Sequence, residues 1–286
     1  MMRRWTPLVL ILTSVVTAPA SAGIPVPGGP APIVPDAMSH VESLAGEIGP
    51  RPAGSKADRR ASRYVKTWFE EFGYDVTRMP FSLPQGGRSW NVVARVPGGS
   101  KATPLLVGAH YDTVAGSPGA NDNASGVGVL LELARRLEGS PEAASVTFVA
   151  FGAEEFQPGT GRHHIGSEAY ARTMRAPQRN ALDAMVSVDM IGKVRRFIVA
   201  RLAGSKRGAS RLLARAIRDA GMRPRVRVLG DISDHGPFAH ARMPAAFLWT
   251  GSEPNHHEPT DRVRNVSPKA LRRAGRVLLA LVELVA

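Results

Sequence analysis

Four apolar runs of strand length in this 286-residue chain each lead to a histidine or a carboxylate. Residues 105–109 lead to His110, with Asp122 further on, and residues 145–151 lead to Glu154 and Glu155. Residues 186–189 end on Asp189, and residues 245–249 precede the loop that carries His257. Apolar runs this short, bounded by turn residues, read as buried strands. Helical patterns separate them, and strands alternating with helices predict an α/β fold. The expected architecture is a three-layer sandwich, with a mixed, mostly parallel central β-sheet flanked by helices. Ligands of such sheets sit beyond the carboxyl ends of the strands, so the topology itself gathers these side chains on one rim.

The helices follow from period and caps. Ser55 opens one whose apolar stripe is Tyr64, Val65, Trp68, Phe69 and Phe72, and Gly73 stops it. Further helices are predicted over residues 125–137, 166–174 and 209–220, and Ser267 and Pro268 open the last one as N-cap and first helical residue. Residues 74–81, 90–96, 197–202 and 225–228 complete the strands. Phe238 and Trp249 are expected in the core.

The first residues are read as a targeting segment. Arg3 and Arg4 precede a short apolar run, and Ala20-Ser21-Ala22 forms a small-residue cleavage site. The apolar run is too short to span a bilayer, so residues 1–22 predict a cleaved signal peptide, a mature start at Gly23 and a secreted or periplasmic protein. Residues 23–36 form a Pro/Gly-rich arm in which prolines remove backbone donors. Residues 37–286 then make one domain, a size that a single α/β core fills. The chain has no cysteine, which excludes disulfides and lipid attachment after the signal. Its formal charge is +13, carried mostly by scattered arginines without an RNA-binding aromatic motif. A nucleic-acid partner is therefore not expected, and any association with an anionic cell envelope is weak and electrostatic.

Without sulfur, the rim offers only nitrogen and oxygen donors, which suit zinc in an open catalytic site. Asp189 falls inside a strand, where an unpaired carboxylate is expensive to bury, so a cation partner explains it. Two imidazoles and three carboxylates hold two zinc ions if one carboxylate bridges, since paired ions stand roughly 3.5–4 Å apart.

Taken in order, the motifs resemble a known family. His110-x-Asp112, the run Gly119-Ala-Asn-Asp122-Asn-Ala-Ser-Gly126, Glu154-Glu155, Asp189 and His257-x-x-x-Asp261 are similar to the co-catalytic di-zinc aminopeptidases of the leucyl, S and Y types. The similarity takes in Arg51-x-x-Gly-Ser55, Gly166-Ser167 and Ser233-Asp-His-Gly-Pro-Phe238, and it runs from about Val41 to the end. It implies a zinc-exopeptidase-like fold and two zinc ions per chain. His110 and Asp189 would hold one ion, Glu155 and His257 the other, and Asp122 would bridge. The resemblance also implies that Asp112 orients His110. Glu154, beside a ligand yet not one itself, would be the general base that moves a proton from the zinc-activated water to the departing amine. The substrates it implies are peptides with a free N-terminus.

The departures are local. His256 stands where the family commonly has tyrosine, and the spacing to Asp261 favours His257 as the ligand. Residues 156–165 are longer than the usual link, which leaves a lid over the pocket or an exposed loop without consequence. His163 and His164 read as a flexible surface pair. Asp234 either joins the hydrogen-bond network of the rim, as in related glutaminyl cyclases, or caps a helix. A carboxypeptidase or glutaminyl cyclase of the same fold, and a non-catalytic basic domain binding anionic polymers, are the competing functions.

Overall fold

A computed structural model describes Met2 and residues 36–286. Residues 1–22, expected to be a signal peptide, and the expected arm over residues 23–36 lie outside the described residues, apart from Met2 and Asp36. Asp36 is a helix cap: its Oδ1 accepts from the backbone N–H groups of Met38 and Ser39, each at 2.9 Å. Among the described residues no helix is long and apolar enough to cross a membrane.

Eight strands form one sheet: β1 (Asp75–Ser82), β2 (Arg88–Arg95), β3 (Leu105–His110), β4 (Val146–Phe151), β5 (Ala184–Val188), β6 (Ile198–Leu202), β7 (Arg225–Leu229) and β8 (Ala245–Trp249). Their order across the sheet is β1-β2-β4-β3-β5-β8-β6-β7. The centre, β4-β3-β5-β8, is parallel, with His110 level with Phe151 and Gly108 level with Ser187. Antiparallel pairings of β1 with β2, β2 with β4 and β6 with β8 make the sheet mixed.

Among the described residues the α-helices are α1 (Ala37–Val41), α2 (Lys56–Glu71), α3 (Ser125–Arg136), α4 (Ile165–Thr173), α5 (Ala176–Ala181), α6 (Gly208–Asp219), α7 (His235–His240) and α8 (Pro268–Glu283). Because successive strand residues point to opposite faces, β3 and β5 supply two cores at once. Leu105, Val107 and Val186 join the core beneath α1, α2, α3, α6 and α8. Leu106 and Met185 join the core beneath α4 and α7, with Phe151, Tyr170 and Phe238. Two helix layers on one sheet give the three-layer sandwich expected.

Differences from the predicted elements are confined to short pieces. Helices α1, α5 and α7 have five or six residues, too few to display a 3.6-residue period. Ser55 caps α2 through Oγ to the Asp58 N–H at 3.0 Å, whereas Ser267 makes no side-chain cap bond to α8. Phe238 is fully buried. Trp249 is a correction: it is only partly buried and lines the cavity above the sheet, with Phe247.

Candidate metal centre

The carboxyl ends of β3, β4 and β5 lie side by side, and the predicted residues meet there. His110 closes β3, Glu154 and Glu155 follow β4, and Asp189 follows β5. Asp122 arrives from a tight turn, Ala120–Ala124, between β3 and α3. Gly119 enters that turn with φ +59°, and a Cβ there would collide with the Asp122 carbonyl oxygen. Gly126 lets the turn press onto β5, since a Cβ would collide with the Val188 carbonyl and the Asn123 amide. Asp261 holds the turn from the other side: its carboxylate accepts from the Asn121 N–H at 2.9 Å and the Asp122 N–H at 2.9 Å.

Asp122 occupies the middle of the cluster. Its Oδ1 lies 3.2 Å from His110 Nε2, and its Oδ2 lies 3.3 Å from His257 Nε2. His110 Nε2 is also 3.4 Å from Asp189 Oδ1. His257 Nε2 is also 2.9 Å from Glu155 Oε2. His256 approaches Asp122 Oδ2 at 3.2 Å and packs against His257 with ring centroids 3.7 Å apart. Three sets of ligand atoms each fall within 4.8 Å: Asp122 with His256 and His257, His110 with Glu154 and Asp189, and His110 with Asp122 and Glu155.

Burial and mutual charge shift the titration of the clustered carboxylates. Burial pushes Glu155 up to about 8, helped by the charge on Asp122, and burial raises Asp189. Burial would raise Asp122 as well, but contacts with His110, His256 and His257 hold it well below the usual carboxylate range. Three buried atoms, His110 Nε2, Glu155 Oε1 and Asp189 Oδ1, have no aligned hydrogen-bond partner. Buried polar atoms are otherwise almost always paired. His110 and Asp189 belong to one of the three ligand sets and Glu155 to another, so divalent cations bound there would give these residues the partners they lack. The donor set therefore fits zinc.

The surrounding contacts aim these groups. Ser233 Oγ donates to Asp189 Oδ2 at 3.0 Å and itself lies 2.8 Å from Ser187 Oγ. Asp112 lies beside His110 and also reaches the glutamate pair. Its carboxylate stands 3.7 Å from His110 Nδ1, which is closer to the Asp112 carbonyl oxygen at 3.3 Å. The carboxylate also accepts from the N–H groups of Glu154 at 3.0 Å and Glu155 at 3.3 Å, so it aims the glutamate pair. Arg51, wholly buried, donates to the carbonyls of Tyr111, Pro118 and Gly119 and ties down the segment between His110 and Asp122.

Sequence reasoning missed two groups. His164 is not a surface residue: it is 4% exposed, with Nε2 at 2.9 Å from Glu154 Oε1 and Nδ1 at 3.1 Å from Asp231 Oδ1. Glu253 accepts from Asn121 Nδ2 and pairs with Lys193 Nζ at 2.7 Å, beneath the Asp122 turn. The clue for His164 was its position one residue before α4, where the chain must return to the sheet. Asp234 begins α7 but makes no side-chain cap bond, and both its oxygens are buried without partners. Phe156, at the loop's start, is exposed, and a cavity of about 360 Å³ opens beside it over the cluster.

Comparison with known proteins places this geometry. The family model described as Peptidase family M28 matches residues 91–282. Aminopeptidase YwaD of Bacillus subtilis is 33% identical over 188 residues, covering 62% of this chain and 40% of the relative. Leupeptin-inactivating enzyme 1 of Streptomyces exfoliatus is 27% identical over 249 residues, covering 82% and 54% respectively. The chain thus spans about half the length of these curated relatives. A solved zinc aminopeptidase from Bacillus subtilis has the same fold, with a TM-score of 0.76 at 20% identity, over 87% of this chain and 94% of that one. A glutaminyl cyclase from Bacteroides thetaiotaomicron also shares it, with a TM-score of 0.72 at 21% identity, over 86% and 96%. With the family match spanning well over half of its residues, this chain belongs to peptidase family M28.

Proposed function

We propose that this chain is an exported, zinc-dependent aminopeptidase that removes single residues from the N-termini of peptides. The observation that carries the reading is the placement of Asp122, whose two oxygens face His110 on one side and His257 on the other. That is the disposition a bridging carboxylate requires. On this reading His110 and Asp189 would hold one zinc ion and Glu155 and His257 a second, with Asp122 serving both. When bound, the pair supplies Lewis acidity, polarising the scissile carbonyl and acidifying water.

Glu154 moves the proton. Its Oε2 faces the cluster, 3.8 Å from His110 Nε2, while Oε1 is engaged by His164. Burial would raise Glu154, but the imidazoles of His110 and His164 lower it; with zinc bound, the ion would stand in for the His110 charge and likewise favour the carboxylate. It takes the proton of the attacking water at Oε2 and returns it to the departing amine. Asp112 holds the Glu154 backbone in place during both transfers. Acidic groups around the cavity give the free α-ammonium of a peptide a counter-charge, which favours N-terminal residues over internal bonds.

Relatives described as aminopeptidases support this reading, and the targeting pattern in residues 1–22 supports export. The net charge of +13 supports weak attraction to an anionic envelope. The test is a panel of aminoacyl anilides assayed with chelator and with zinc restored. Activity should vanish and return; activity indifferent to chelation refutes the reading. Because a glutaminyl cyclase shares the fold, pyroglutamate formation from N-terminal glutamine is the control, and no product is expected.

A further inference from the structure

His164 and Asp231 stand outside the metal-ligating groups; His164 enters the proposed reaction only as a neighbour of Glu154, and Asp231 not at all. We propose that His164, itself held by Asp231, is the positioning residue for Glu154: it occupies Oε1, so that Oε2 alone faces the cluster. The inference rests on the reading of Glu154 as the proton-transfer carboxylate.

The grip has two points. The His164 side chain meets Glu154 Oε1 at 2.9 Å, and the His164 backbone N–H donates to the Glu154 carbonyl at 2.8 Å. Backbone and side chain of one residue therefore fix both ends of the other. His164 adopts φ +55°, a left-handed conformation that histidine rarely takes, and this turns the loop back onto the strand end. The loop is pinned by backbone pairing of Gln157 with Arg162, and the Ser167 hydroxyl donates to the His164 carbonyl at 3.1 Å.

The second ring nitrogen is also engaged. Nδ1 lies 3.1 Å from Asp231 Oδ1, and Asp231 Oδ2 meets His240 Nε2 at 3.0 Å. Asp231 has room for this only because Gly236 has no side chain: a Cβ there would overlap the Asp231 carboxylate. A carboxylate oxygen thus stands within ion-pair distance of each ring nitrogen. Burial would push His164 down, but Glu154 and Asp231 raise it to about 10. A cationic imidazole between two carboxylates has one ring orientation, unlike a glutamate with three free torsions.

The experiment compares zinc-loaded wild type with His164→Ala, His164→Gln and Asp231→Asn, on an aminoacyl anilide and by crystallography. His164→Ala should lower kcat by about 10–100-fold, as loss of an orienting partner does, with KM and bound zinc little changed. Its Glu154 carboxylate should swing away from the wild-type position. His164→Gln, whose amide can still donate toward Oε1, should recover part of kcat, and Asp231→Asn should lose less than His164→Ala. Wild-type kcat in His164→Ala, an unmoved Glu154 carboxylate, or a loss wholly explained by missing zinc would overturn the proposal. If wild type hydrolyses no anilide, the aminopeptidase reading fails, and the crystallographic comparison still decides whether His164 holds Glu154. Should His164→Ala not fold, Asp231→Asn carries the same comparison at a partly exposed position.

Discussion

Replacing Arg51 by methionine removes a buried cation and tests how the loop bearing Asp112 and Asp122 is held. The guanidinium reaches the carbonyls of Leu44, Gly49, Tyr111, Pro118 and Gly119. Three of these, Tyr111, Pro118 and Gly119, belong to the segment between His110 and Asp122. A buried acceptor left unpaired costs about 1–3 kcal/mol, so three cost about 3–9 kcal/mol. Relief from burying a guanidinium offsets part of this; burial already pushes Arg51 down to about 10, where it is still charged at neutral pH. The net loss is about 3–5 kcal/mol, in the lower half of that range. Domains hold about 5–15 kcal/mol in all. At about 2–4 °C per kcal/mol for this size, Tm should fall by about 6–20 °C. Arg51→Lys should rescue little, because a single ammonium cannot reach five carbonyls on different segments. Thermal melts followed by circular dichroism at neutral pH measure this. A Tm within about 2 °C of wild type would refute the reasoning, since it corresponds to about 1 kcal/mol or less.

Three further outcomes follow from the same geometry. Glu154→Gln should keep its zinc while turnover falls by about 10²–10⁴-fold, read by anilide kinetics beside metal analysis; undiminished turnover removes Glu154 from the proton transfer. Ser233→Ala frees Asp189 Oδ2 and should weaken zinc binding by about 10–100-fold in a competition titration with a chelating dye. Burial raises Asp58 to about 7 from an ordinary value near 3.8. The folded state therefore holds a proton that the unfolded chain has released. This contribution is complete below about pH 4 and is lost as pH rises through 7. Asp58→Asn should remove that component from urea-unfolding stabilities measured between pH 4 and pH 8, and an unchanged slope would contradict it.

What the sequence disclosed, and what it withheld, follows from where each kind of information resides. His110, Asp189 and the glutamate pair were legible because each sits at the end of an apolar run, and a parallel sheet carries all such ends to one rim. His164 was misread because Gly159-Thr-Gly-Arg-His-His164 has the composition of a surface turn. Its burial depends on a left-handed residue and a one-bridge hairpin, which leave no periodic trace. The Trp249 ring was assigned to the core for the same reason that β8 was found: its run is apolar. Yet only the depth of the cavity decides whether the last residue of a strand faces protein or solvent. Asp112 matched its motif, and side-chain geometry adds to its place beside His110 two bonds from the backbone of the glutamate pair. Arg51 was visible in the sequence as part of an entry motif, but hydrogen bonds to carbonyls carry no residue signature.

Anomalous diffraction at the zinc edge, on crystals of the zinc-saturated protein, tests the central claim most directly. The account predicts two peaks per chain on either side of the Asp122 carboxylate, roughly 3.5–4 Å apart. A single peak, or peaks remote from Asp122, would contradict it.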